Sequence, residues 1–398
     1  MYENCLTGSI PSSLGSLKKL VYLDLYSNLF SGSIPSSLSS VSILQEIVVN
    51  NNILTGTIPV TLGVLDLLGI LAVYDNYLTG TIPSSFASLS NLQQLYANNN
   101  KLTGSISENF FLAAEMVFFD VAYNLLTGVF PSGLTHIQKL YLNDNQFSGE
   151  IPTAIGKYTS LSIMDISYNH FSGTLPVDIM DMSTLALLVV AGNSFVGDLN
   201  TVFSDPLFNQ HLVTLDISSN GFTGSLPIAL FDSTSLETFV GARNCFSGSL
   251  SSALCNAVNL ITLDLSGMTA GASCASHYRM LGMDFYTVAY VDGDMPSCVF
   301  AMPELVALSL SGNGIKSQVT VDSIGANLVN ISLSNNRFSG SIPLIIQQYE
   351  ALELLDLSYN RLSGVITSMT NYVTTSSSVD SVNGSYISLD LESNRLSG

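Results

Sequence analysis

Basic residues are scarce in this 398-residue chain: 11 Lys and Arg stand against 30 Asp and Glu, a net charge of −19. They are scattered, which excludes a nucleic-acid partner, because neutralising phosphates needs Lys and Arg gathered on one face. Metal-ligand spacing is missing too. The five cysteines contain no CxxC, and His136, His170, His211 and His277 lie in different stretches with no HxxxH among them, so no metal site is expected. No apolar run is long enough to span a bilayer; Val60 to Tyr74 is the longest, and Thr61 and Asp66 interrupt it. The N-terminus lacks the basic and apolar regions of a signal peptide. A GxSxG elbow and the kinase phrases HRD and DFG are absent. Gly156-Lys157 stands at the wrong distance from Gly149 for a phosphate loop, and Tyr158 follows it. No enzyme activity and no cofactor are expected of these residues.

What the chain has instead is a ladder of asparagines. Asn4, Asn28, Asn52, Asn76, Asn100 and Asn124 recur every 24 residues, each opening a phrase such as N-L-F-S-G or N-I-L-T-G. Asn145, Asn169, Asn193, Asn220, Asn244, Asn313, Asn336, Asn360 and Asn394 continue it with looser spacing. Apolar residues precede most of them at fixed offsets, as Leu20, Leu23 and Leu25 precede Asn28, and Gly followed by Ile-Pro or Leu-Pro comes after. A fixed period of this length means one unit stacked on copies of itself. Leu23-Asp24-Leu25 predicts a short strand with one buried and one wet face. A buried Asn can satisfy backbone groups that a tight turn leaves unpaired. Gly supplies the dihedrals that leave the turn, and Pro ends the pairing.

The phrase LxxLxLxxNxLTGxIPxxLGxL, clearest at Leu6-Thr7-Gly8-Ser9-Ile10-Pro11-Ser12-Ser13-Leu14-Gly15, resembles the plant-type leucine-rich repeats of receptor-like kinases, receptor-like proteins and secreted inhibitors. The resemblance covers nearly the whole chain and implies a curved right-handed α/β-type repeat solenoid. Its parallel β-sheet would line the concave face, one strand per repeat, with short 3-10 and loop segments on the convex face. Residues 1–398 are expected to form a single domain of about 15–16 repeats, truncated at both ends. The terminal caps of the family are missing, as is tryptophan throughout, so the chain reads as a fragment of a longer protein. An irregular insert at about 269–294 and a flexible polar loop at about 369–385 interrupt the pattern. The resemblance implies a recognition module, the extracellular or cell-surface part of a membrane-anchored receptor-like protein. Its partner would be a protein, peptide or glycan, and any membrane contact would run through segments absent from this chain. A secreted hydrolase inhibitor and a structural or adhesive cell-wall protein are the alternatives.

On each strand the residues six, four, two and one before the ladder Asn are expected to face outward. They place Tyr22, Tyr26, Tyr74, Tyr96, Phe118, Tyr123 and Tyr141 on the concave face of the first half, where aromatic side chains make good anchors. Farther along, the same columns turn small: Val189, Ala191, Ser218, Ser309 and Gly312. The central column carries Asp24, Asp120, Asp165, Asp216, Asp264, Asp356 and Asp390, an acidic stripe that would favour a cationic ligand or is simply the default wording of the repeat. Within the insert, His277, Tyr278, Arg279, Phe285 and Tyr286 are candidate contacts, since long loops in regular arrays are often functional. Cys5 and Cys245 occupy the slot after the ladder Asn and read as small buried hydrophobes. Cys274 and Cys298 flank the loop and are expected to pair with each other, or one of them with Cys255, in an oxidising compartment. Asn330 and Asn383 lie in N-x-S sequons, candidate glycosylation sites.

Overall fold

The computed structural model describes residues 3–111, 115–204, 208–268, 274, 293–366, 372–374 and 387–397. The chain divides into two compact units, Met1–Asn193 and Ser194–Gly398. In the first, the alternation read around Leu23 becomes the strand Tyr22–Asp24, followed by Glu46–Val48, Ile70–Ala72, Gln94–Tyr96, Phe118–Asp120, Lys139–Tyr141, Ile163–Asp165 and Leu187–Val189. Each pairs in parallel with the next, in the same register. Equivalent positions of successive repeats therefore lie side by side. Leu23, Ile47, Leu71, Leu95, Phe119, Leu140, Met164 and Leu188 make one buried file.

The second unit repeats this plan with Thr214–Asp216, Thr238–Val240, Thr262–Asp264, Ala307–Ser309, Asn330–Ser332, Leu354–Asp356 and Ile387–Asp390, again parallel. Each unit is a leucine-rich repeat solenoid.

The asparagines do what their spacing requires. Asn52 Oδ1 accepts the Phe30 N–H at 2.9 Å, and its Nδ2 donates to the carbonyls of Leu25, Val49 and Asn50 at 3.0, 3.1 and 3.0 Å. Asn76, Asn124 and Asn169 repeat the arrangement. Holding these carbonyls fixes a turn whose last residue before the Asn is left-handed whatever its type: Ser27 has φ 53°, Asp75 50°, Tyr123 54° and Arg243 54°.

Beyond the Asn the structure departs from the expectation of one strand per repeat. Thr7–Ser9, Leu29–Gly32 and Ile53–Leu54 pair in parallel, as do Lys101–Ser105, Leu125–Gly128, Gln146–Gly149 and His170–Thr174. The ladder Asn causes this, because its Oδ1 draws the N–H of the preceding repeat's post-Asn segment into line. The segment ends at a glycine such as Gly32, whose φ of +73° side chains rarely adopt.

Proline then opens the convex side. Pro35, at φ −68° and extended, precedes the 3-10 segment Ser36–Ser40, and Pro59 and Pro83 precede Val60–Val64 and Ser84–Ser88 in the same way. Leu38, Leu62 and Phe86 point from these segments into the core. Adjacent segments pack so closely that a Cβ on Gly63 would lie 2.4 Å from Ser85 Oγ.

Where the ladder breaks, the sheet does not. Thr262–Asp264 pairs directly with Ala307–Ser309, and Asn313 reaches back to the Leu265 carbonyl and the Met268 N–H, both at 2.8 Å. The polar stretch at about 369–385 is not wholly a loop: its β-favouring Tyr372–Thr374 forms a strand parallel to Ile387–Asp390.

Two disulfides hold the insert: Cys245 is bridged to Cys274 within it, and Cys255 to Cys298 across it, with Cα separations of 5.4 and 6.0 Å. Cys298 pairs with Cys255, as one of the two expected arrangements had it, while Cys274 pairs with Cys245 and not with Cys298. Cys245 is buried as expected, but bridged. Cys5 is exposed, not buried. The slot after the ladder Asn faces outward in most repeats, with Leu29 47% and Tyr77 50% exposed. Cys245 is buried where its bridge partner Cys274 is buried too.

Candidate ligand-binding face

The outward columns of the first unit bring four of the seven aromatic candidates into contact. Tyr74 and Tyr96 have ring centroids 6.4 Å apart, Tyr96 and Phe118 4.4 Å, and Phe118 and Tyr141 5.7 Å. These residues sit on or beside consecutive strands, so their rings form a ladder across the sheet. Tyr96 leans along its own strand, its hydroxyl donating to Gln94 Oε1 at 2.9 Å. At the N-terminal end of the ladder lies an open hollow of about 410 Å³, lined by Tyr26, Tyr74 and Tyr96 with Val48, Ile70 and Ala72. From Tyr26 to Tyr141 the band crosses six repeats, about 24 Å at ordinary strand spacing.

Tyr22 and Tyr123 stand apart. The Tyr22 hydroxyl donates to Gln45 Oε1 at 3.4 Å, and the side chain is 59% exposed. Tyr123, 54% exposed, belongs to the left-handed turn column beside Asp144, whose charge is the first cause raising its phenol above the ordinary value. Asn330 occupies a sheet-face position and is half-buried. His277, Tyr278, Arg279, Phe285, Tyr286 and Asn383 lie outside the described residues.

The acidic column has a local structural role. Asp24, Asp120, Asp165, Asp216, Asp264, Asp356 and Asp390 each accept the backbone N–H two residues on, at 2.9–3.4 Å, closing the turn that leaves the strand. Asp165 and Asp356 also receive the hydroxyls of Ser167 and Ser358, at 2.6 and 2.7 Å. Beside Asp120 the place of those serines is taken by Ala122, which has no hydroxyl to give.

Asp120 also lies directly between Tyr96 and Tyr141 in the sheet register. Burial pushes its carboxyl up to about 6, and the charges of Asp165 and Asp75 add to that against the lowering effect of the Ala122 N–H. Tyr96 and Tyr141 are in turn raised first by burial and then by the Asp120 charge. The sequence pattern did not separate Asp120 from the other six aspartates. The hollow was legible in part, since Val48 and Ala72 stand in the column where Asp is the default.

Among the described residues no group of His, Cys, Asp and Glu could hold a metal ion, and no helix is long and apolar enough to cross a membrane.

The Leucine Rich Repeat family profile matches residues 19–41, 91–112, 136–158, 160–182, 211–232, 327–349 and 351–371. Receptor-like protein 39 of Arabidopsis thaliana is 26% identical over 232 residues, which are 57% of this chain and 26% of that protein. Among solved structures, the plant peptide hormone receptor RGFR1 in complex with RGF2 superposes with a TM-score of 0.78 at 26% identity. That match covers 100% of this chain and 66% of that one. The Arabidopsis receptor kinase HAESA ectodomain, in complex with an IDA peptide hormone ligand, gives 0.74 at 25% identity, with coverage of 100% and 66%. The chain spans about a quarter of the length of that receptor-like protein and about two thirds of these two solved chains.

Proposed function

We propose, from the premise that this chain is a plant-type leucine-rich repeat protein, that it is the ligand-binding extracellular repeat region of a receptor-like protein, folded over 1–398 as one repeat domain. In this reading it recognises an extended peptide on the concave face of the first unit and catalyses nothing. The observation that carries the reading is the ring ladder Tyr74–Tyr96–Phe118–Tyr141 with the hollow at its end. Partly buried aromatic side chains offer large contact area at low entropic cost. A band of about 24 Å accommodates roughly seven residues of extended chain. RGFR1 and HAESA, both of this fold, are bound to peptide hormones. Two disulfides suit an oxidising, extracellular setting. The insert at about 269–294 is a second candidate contact region in this reading, and Asn330 and Asn383 are candidate glycosylation sites.

The test is selection of binders from a displayed library of random linear peptides on the full chain, followed by affinity measurement on variants. Tyr96→Ala is expected to weaken the selected peptides by about 1–3 kcal/mol, while Val189→Ala leaves them unchanged. Equal effects of the two substitutions, with circular dichroism unaltered, would remove the ligand from this face.

A further inference from the structure

The ring ladder carries one carboxylate at its centre, and its surroundings define the chemistry of what it meets. Asp120 has Tyr96 and Tyr141 as register partners on the two neighbouring strands and Phe118 two residues before it on its own. One of its oxygens accepts the Ala122 N–H at 3.0 Å, and among the described residues no hydroxyl or cation engages the other. Asp165, one repeat farther on, has a seryl hydroxyl at 2.6 Å. Ala122 leaves the corresponding place beside Asp120 open.

Resting on the reading of this face as a peptide site, we infer that Asp120 is a specificity anchor, and that the recognised extended peptide presents an arginine or lysine side chain to it within the aromatic band. Charge complementarity selects the occupant. The face around Asp120 also carries Asp75 and Asp165, which act on it electrostatically, and Lys139 is the sheet partner of Phe118. A cation placed here meets a carboxylate flanked by ring faces, where cation–π attraction adds to the ion pair. Arginine suits the place better than lysine, since its planar guanidinium stacks on rings while its N–H groups donate to the carboxylate. A carboxylate or phosphate on the ligand would be repelled by Asp120, Asp75 and Asp165 together. The burial that raises the Asp120 carboxyl to about 6 fits a group whose stabilising partner arrives from outside the chain.

Binders drawn from the displayed random-peptide library on the full chain test this, with affinities measured at pH 7.5. Arginine or lysine should be enriched at one position, and replacing it with Gln should weaken binding about 10- to 100-fold on the wild type. On Asp120→Asn the parent peptide should be weakened to the same extent, and its Gln form no further. Asp356→Asn, the matched change in a member of the column whose Ser358 hydroxyl lies at 2.7 Å, should leave affinity unaltered. Peptides weakened by Tyr96→Ala but indifferent to Asp120→Asn would overturn the anchor and leave the concave-face reading standing. A library that returns no binder, or binders indifferent to Tyr96→Ala, would overturn both.

Discussion

A buried asparagine in this chain is held by more bonds than any side chain on the binding face. Asn76 takes the Leu54 N–H and gives to the carbonyls of Val49, Val73 and Tyr74. Removing the amide leaves buried backbone groups unpaired, at roughly 1–3 kcal/mol for a group that water cannot reach. Asn76→Ala is therefore expected to destabilise the first unit by about 2–4 kcal/mol, read as a lowered urea midpoint; a change under 1 kcal/mol would show that water replaces the ladder.

Asp120 makes the opposite case. Its carboxyl is raised from 3.8 to about 6, so the folded state binds the proton more tightly than the unfolded chain does. Stability consequently falls as pH rises from about 4 to about 6, and the full penalty, up to about 3 kcal/mol, is present above that window. Asp120→Asn keeps an oxygen for the Ala122 N–H and removes the charge. Thermal melts should show the variant more stable than the wild type at pH 7 and equal to it near pH 4. A variant less stable at pH 7 would contradict the burial of that charge.

At the scale of the element, the repeat is a coil of four pieces: strand, Asn turn, second strand and 3-10 segment. The first two were legible because their determinants are residue types at fixed offsets. Leu23, Leu25 and Asn28 cannot be exchanged for other chemistries without losing burial or hydrogen bonds. The left-handed residue before the Asn was illegible, since Ser27, Asp75, Tyr123 and Arg243 all adopt it once the Asn has fixed the turn. The exposure of the next slot was misjudged for a related reason, as burial there depends on what lies over it and not on the residue itself.

The glycine of the convex segment was readable as a pattern but not as a cause. Its cause is the neighbouring segment, 2.4 Å from a would-be Cβ at Gly63; at Gly69, just before the strand Ile70–Ala72, the nearest atom is the Asn91 carbonyl oxygen at 3.7 Å. Gly63→Val should therefore destabilise by about 1–3 kcal/mol through forced separation of Val60–Val64 from Ser84–Ser88. Gly69→Ala should change the denaturation midpoint little. Equal midpoints for the two variants would mean the segments part without strain.

For the whole molecule, stability in a repeat array is close to a sum of local terms, so damage stays where it is made. The bridges Cys245–Cys274 and Cys255–Cys298 close stretches of 29 and 43 residues, each stabilising by about 4 kcal/mol in the chain-entropy account. Replacing Cys245 and Cys274 with serine should raise amide hydrogen exchange in the strands Thr238–Val240 and Thr262–Asp264. Exchange in Tyr22–Asp24 through Phe118–Asp120 should stay as it was. Loss of protection throughout would mean that the array melts as one cooperative body. Tyr74, Tyr96, Phe118 and Tyr141 were legible as members of outward columns, but ring contacts such as Tyr96 with Phe118 depend on side-chain lean that no column predicts.

Most ladder asparagines reach backward. Asn52 holds the carbonyl of Leu25, 27 residues earlier, Asn169 that of Leu142, and Asn336 that of Leu310. A turn near the N-terminus thus has its polar interior completed by residues that come later in the chain. On a ribosome, which delivers the chain N-terminus first, the growing coil always carries one unfinished turn at its newest end, and the next asparagine to emerge closes it. A pause in translation leaves a single turn waiting for its partner while the finished coil behind it stays closed.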